Sequence, residues 1–121
     1  MGNRQLVDWI RALVAHLQGG GQFSDQIIDE LERMQDQFSL TYSKYEEEET
    51  PPLALPLKNL MMEALQFLHD GLEDILEYEE TAEAALLPRG LASVEEGNDI
   101  LDSLRYAVEQ DTSWTSSASM G

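Results

Sequence analysis

Carboxylates are the side chains with the widest chemical reach in this 121-residue sequence, which carries 24 Asp and Glu against 7 Lys and Arg, for a formal charge of −17. Several recur at helical spacing. Asp70 with Asp74 and Glu73 with Glu77 are like-charged pairs four residues apart, and each such pair costs a helix a few tenths of a kcal/mol, about 0.2–0.5. The simplest reading is a solvated face. A face kept acidic at that cost also suits electrostatic steering of a cationic partner. Glu77-x-x-Glu80, Glu80-x-x-Glu83 and Glu96-x-x-Asp99 set pairs of oxygen donors one turn apart, which is ligand chemistry for a hard cation such as Mg²⁺.

The segment Glu95-Glu96-Gly97-Asn98-Asp99-Ile100-Leu101 resembles the second acidic motif of the all-α MazG-type nucleotide pyrophosphohydrolases. The resemblance runs from Glu77 to Leu101. It implies a Mg²⁺-dependent hydrolase in which Glu77, Glu80, Glu96 and Asp99 hold the metal at a nucleotide's phosphates. Only Arg89 and Arg105 stand nearby to meet the phosphates themselves. Arg11 and His16 match the Arg-x4-His spacing of HEPN-type ribonucleases, but a chain of charge −17 is a poor match for a phosphate backbone.

Other chemistries are excluded more firmly. Di-iron bundles need Glu-x-x-His; here His16 is preceded at the third position by Leu13 and His69 by Gln66. Without Cys there is neither a disulfide framework nor a thiolate metal site. Gly19-Gly20-Gly21 lacks the Lys-Ser or Lys-Thr of a phosphate loop. Glu46 to Glu49 lacks the spaced ligands and turn glycine of an EF-hand. Two histidines leave no room for a Ser-His-Asp argument. Nucleic-acid coating needs clustered Lys and Arg, so nucleic acid is not an expected partner. No run of 18 apolar residues is present, so no membrane partner is expected either. Asp8 and Arg11 break any secretory apolar region, and Leu6 stands where a myristoylation signal needs Ser or Thr. The cytoplasm is the expected compartment.

Aromatics and methionines offer a second kind of chemistry. Most fall at core spacing. Phe67 lies at the edge of its helix's apolar stripe, close to the adjacent Met61 and Met62. A flexible Met beside an edge aromatic is the composition of an adaptable contact surface. Met62 and Phe67 are therefore the candidate contact patch, joined by Asp70, Glu73, Asp74 and Glu77.

The elements that must hold these residues are all helical. Leu6, Val7, Ile10, Leu13, Val14 and Leu17 fall within one sector, predicting a first helix over 3–18 that stops at three glycines. Ser24 caps a second helix that runs to Glu47, with Ile27, Ile28, Leu31, Met34, Phe38, Tyr42 and Tyr45 along one stripe. Three prolines between Pro51 and Pro56 break the chain, and Leu53 and Leu55 are expected to pin that connector to the core. The third helix is predicted from 57 to 87, with Gly71 as a weak point costing about 1 kcal/mol and Pro88-Arg89-Gly90 as its stop. Ser93 and Glu96 read as a capping box opening a fourth helix, which buries Ile100, Leu101, Leu104, Ala107 and Val108 and ends near Gln110. No stretch alternates with period two.

The fold class is therefore all-α: an antiparallel four-helix bundle with a long hairpin of the second and third helices, in a single domain over 1–110 followed by a flexible Ser-rich tail over 111–121. At 1.5 Å per residue the first helix spans about 24 Å and a third helix over 57–87 about 46 Å. Either the third helix breaks near Glu79 to Thr81, or part of its stripe stays open and seeks a second copy or a partner; a homodimer or a hetero-partner groove is expected. The functional expectation is a non-catalytic acidic protein (adapter, inhibitor or regulatory subunit) that binds a basic protein partner and needs no cofactor. The alternatives are a secretion-type chaperone for an apolar helix and the Mg²⁺-dependent hydrolase.

Overall fold

The computed structural model describes residues 3–120, with side-chain surroundings for 4–107. Among these residues are four α-helices, one 3-10 turn and no strand: α1 (Asn3–Gln18), α2 (Asp25–Glu47), the turn Pro52–Ala54, α3 (Leu55–Thr81) and α4 (Leu86–Met120). The bundle is all-α, as its periodicity requires. Helix α3 packs along α4 and along α2, and α1 packs on α4.

α1 and α2 follow the sequence closely. α1 buries Val7, Ile10, Leu13, Val14 and Leu17. Its end is tied off by the Gly19 and Gly21 N–H groups, which donate to the carbonyls of Ala15 and His16 at 3.0 and 2.9 Å. Gly20 has φ 92°, a left-handed turn that suits a residue without Cβ. Ser24 is extended, and its hydroxyl accepts from the Ile27 N–H at 3.2 Å, satisfying one of the four free donors at the start of α2.

The connector differs from expectation. Leu53 is 97% exposed and Leu55 43%, so neither pins it to the core. Helix α3 begins at Leu55, two residues early, because Pro56 fits the first turn. The turn Pro52–Ala54 runs straight into it, and this rigid run leaves Leu53 facing solvent. Lys58 Nζ donates to the Glu48 carbonyl at 2.6 Å and closes the loop from the other side.

Of the two alternatives for the third helix, the break near Glu79 to Thr81 is the one found, and the stop at Pro88-Arg89-Gly90 and the start of the fourth helix at Ser93 are corrected. α3 stops at Thr81, where Ala82 turns left-handed at φ 58° and its N–H donates to the Tyr78 carbonyl at 2.8 Å. Leu86 and Leu87 open α4 and are buried. Pro88 is therefore not a stop. It sits in the first turn of α4, where a backbone N–H has no helical partner to lose. Ser93 and Glu96 lie inside α4 rather than at its start, so they form no capping box. The Ser93 hydroxyl donates instead to the Phe67 carbonyl of α3 at 2.7 Å. Leu104 is buried, and Ile100, Leu101 and Ala107 are half-buried; the side chain of Val108 lies outside the described residues. The segment 111–120, expected as a flexible tail, carries helical backbone to Met120; no Gly or Pro interrupts 98–120. Gly121 lies outside the described residues.

Small residues set the distance between α3 and α4. A Cβ on Gly71 would stand 2.6 Å from Val94 Cγ2 and 2.7 Å from the Gly90 carbonyl oxygen, and one on Gly97 would stand 2.8 Å from the Ala64 oxygen. These contacts are too close for any side chain. Gly71 is thus a packing requirement rather than a weak point, and its cost in helix propensity, about 1 kcal/mol, is offset by the burial this approach permits. The core gathers Ile10, Leu31, Leu68, Leu72, Ile75, Leu87 and Val94 from all four helices, each contributing about 1.5–3 kcal/mol of apolar transfer.

Candidate interaction surface

The outward face of α3 holds most of the predicted contact residues. Met62, Phe67 and Asp70 line one hollow of about 390 Å³, with Tyr42 of α2 as its opposite wall. Phe67 is fixed from behind, because its carbonyl accepts the Ser93 hydroxyl. Asp70 accepts from Gln66 Nε2 at 3.0 Å, and its Oδ1 lies 3.4 Å from His69 Nδ1. One turn on, Glu73 accepts from the Gln35 amide of α2. Glu73 and Glu77 line the next crevice of the α2/α3 seam together with Glu32 and Glu80. Along α3, Asp70, Glu73 and Glu77 follow one another at steps of three and four residues, which keeps them on one face. A hollow that holds Met62 and Phe67 among polar side chains therefore shares the exposed face of α3 with an acidic strip.

Asp74 is not part of that strip. Arg89, from the first turn of α4, donates Nε–H to Oδ2 at 3.0 Å and Nη2–H to Oδ1 at 2.8 Å. The Asp74 side chain is only 16% exposed. The hydrogen bonds it donates to Asp74, and then the charge of that carboxylate, push the Arg89 guanidinium above its ordinary basicity. Nothing in the sequence separated Asp74 from Asp70 and Glu73, because the pairing depends on where α4 begins.

The four carboxylates of the magnesium reading do not converge. Gly97 packs against Ala64 and Leu68, so Glu96 and Asp99 lie level with the middle of α3. Glu77 and Glu80 sit about eleven or more residues further along, roughly 15–20 Å away at 1.5 Å per residue. They also face α2, whereas Asp99 lines the crevice between α1 and α4. Among the described residues no group of three His, Cys, Asp or Glu side chains is placed to hold a metal ion. Arg11 and His16 diverge as well. Arg11 pairs with Glu95 at 2.9 Å and Asp8 at 3.5 Å, while the His16 ring lies against Gly21.

Two further apolar surfaces are present, one unforeseen and one matching the open stretch of stripe that the helix lengths allowed. A groove of about 620 Å³ separates α1 from α2, lined by Leu6, Trp9, Ile27 and Met34. Trp9 falls just outside the stripe of α1, which is the one sequence signal for it. At the other end of the hairpin, Leu57 and Leu60 continue the stripe of α3 yet remain 36% and 42% exposed. Among the described residues no helix is long and apolar enough to cross a membrane. Comparison with protein-family models, with curated proteins and with solved structures yields no match.

Proposed function

We propose that this chain is a non-catalytic helical protein that binds a basic protein partner through the outward face of α3. The observation that carries the reading is the union of Met62, Phe67 and Asp70 in one hollow on the same helix face as Glu73 and Glu77. An apolar anchor entering the hollow is desolvated there, which is where interface energy concentrates. The strip beside it speeds encounter with a cationic surface and selects against acidic ones. The magnesium-dependent reading draws no support from four carboxylates spread over two faces and roughly 15–20 Å.

The test is affinity capture from the native host at low and high salt, with mass spectrometry, using the natural chain beside Met62→Asp and the triple variant Asp70→Lys, Glu73→Lys, Glu77→Lys. A captured protein of high pI that is lost with either variant, and held less at high salt, is the expected result. Capture indifferent to both variants overturns the proposed surface.

A further inference from the structure

We infer that the hollow on α3 takes the guanidinium of an arginine side chain presented by the partner; this names the anchor of the proposed contact surface and rests on that reading. The lining fixes the chemistry. Tyr42 and Phe67 contribute aromatic rings from two helices, Met62 a thioether, and Glu63 and Asp70 the only charges of the lining. Tyr42, Met62 and Phe67 are half-buried, so each keeps surface to offer. An aromatic face carries negative potential and attracts a cation. Two carboxylates in the same hollow add to that potential and accept N–H hydrogen bonds. The chain's own cations leave this demand unmet. Among the described residues Glu63 has no ion-pair partner, and the contacts of Asp70 with Gln66 and His69 both use Oδ1, which leaves Oδ2. Lys58, the one Lys of α3, is drawn back to the Glu48 carbonyl.

Size and shape choose among cations. At about 390 Å³ the hollow is at the small end of ligand pockets, about 300–1,000 Å³, so it suits one long side chain rather than a helix. Arginine meets every part of the lining at once. Its apolar stem covers Met62, and its planar head stacks on an aromatic face while donating in its own plane to carboxylates. The guanidinium is also more weakly hydrated than an ammonium and gives up its water more readily. A second copy of this chain is not the source. Of its five arginines, Arg11, Arg33, Arg89 and Arg105 are paired with its own carboxylates, and two chains of charge −17 repel. The arginine therefore belongs to a basic partner, whose approach Glu73 and Glu77 on the same helix face favour.

The test follows the methionine methyl signals of the full chain, carbon-13 labelled, by NMR at an ionic strength of about 0.15 M. The probes are acetylated, amidated tripeptides with Arg, Lys, citrulline or Leu between two glycines. The Arg peptide should shift the Met62 methyl saturably, with a Kd in the low millimolar range. It should leave in place the methyl of Met34, which lines the groove between α1 and α2. The δ protons of the bound arginine should move upfield under the ring current of an aromatic face. Citrulline keeps the shape without the charge, and Leu keeps only the apolar bulk; both should bind at least tenfold more weakly, and Lys several-fold more weakly. Tyr42→Leu with Phe67→Leu should abolish the upfield shift. Glu63→Gln with Asp70→Asn should weaken the Arg peptide at least tenfold, and because both residues are exposed this variant keeps its fold even where the aromatic pair cannot be replaced. Equal binding of any other peptide, no shift at Met62, or binding indifferent to the carboxylate variant overturns the inference. If the Arg peptide fails while a basic protein is still captured through Met62, the hollow takes another anchor and the functional reading stands. If the Arg peptide binds as expected while capture ignores Met62→Asp, the guanidinium site stands and the functional reading falls.

Discussion

Arg89 grips Asp74 through two near-parallel hydrogen bonds of 3.0 and 2.8 Å. The pair joins the first turn of α4 to the last three turns of α3, across the hairpin whose tip is Ala82. It also explains why one carboxylate in a row of acids is withheld from solvent. Asp74→Asn should lower the melting temperature, and so should Arg89→Met. The double variant should lose no more than the larger single loss, since both remove one contact. The raised basicity of Arg89 means that its contribution is complete at every pH below its ordinary titration range and is lost only as pH rises through the still higher folded value. On the arginine side the stability is therefore flat across neutral pH, which thermal melts between pH 6 and 9 will check.

Gly71→Ala and Gly97→Ala should each destabilise the protein. The added Cβ meets atoms at 2.6–2.8 Å. Overpacking of this kind costs about 1–3 kcal/mol and outweighs the gain in helix propensity of about 1 kcal/mol. Gly19→Ala is the matched control: its nearest contact would be an ordinary 3.4 Å, and it should move stability by less than about 0.5 kcal/mol. Urea titration followed by circular dichroism distinguishes the three.

Ala82→Gly should do the opposite. Alanine at φ 58° stores about 1–2 kcal/mol of left-handed strain, partly offset by the greater chain entropy of glycine in the unfolded state. A net gain of about 0.5–1 kcal/mol in the same titration is expected. A loss would show that the reversal at Ala82 is not left-handed in solution.

The outline of the bundle was legible because amphipathic periodicity is a local property. α1 and α2, Ser24 as a cap and the glycine stop all follow from residues within a turn or two of each other. The break near Glu79 to Thr81 was among the alternatives, but the stop assigned to Pro88-Arg89-Gly90 was misread because that segment carries two meanings. Proline ends a helix from inside and begins one in its first turn, and the choice was made by Leu86 and Leu87, whose burial needs α1 and α3 in place. Ser93 was misread for the same reason: its hydroxyl serves the Phe67 carbonyl, 26 residues away. At the candidate site, the grouping of Met62, Phe67 and Asp70 was legible from spacing on a single helix, and an open stretch of the third helix's stripe from the mismatch of helix lengths, whereas the loss of Asp74 to Arg89 depends on helix register, which local pattern does not encode.

Charge reversal on α3 should act on rate more than on fold. The triple variant Asp70→Lys, Glu73→Lys, Glu77→Lys leaves the core untouched, so its melting temperature should stay within a few degrees. Association with the captured partner should slow by at least tenfold at low salt and lose its salt dependence. Stopped-flow or surface-based kinetics at two ionic strengths provides the measurement.

Magnesium at millimolar concentration should leave the melting temperature where an equal ionic strength of sodium leaves it, because Glu77 and Glu80 face α2 while Asp99 faces α1. A rise specific to Mg²⁺, accompanied by cleavage of nucleoside triphosphates, would restore the hydrolase reading.

The seam of Gly71, Gly90 and Gly97 divides the molecule mechanically. It turns α3 and α4 into a keel, while α1 packs chiefly on α4, stands across a groove from α2 and is followed by three glycines. Amide protons of Leu68, Leu72 and Val94 are then released to solvent only when the whole chain unfolds. Those of α1 are released through smaller excursions that swing it outward, so the groove beside Trp9 breathes while the keel stays shut.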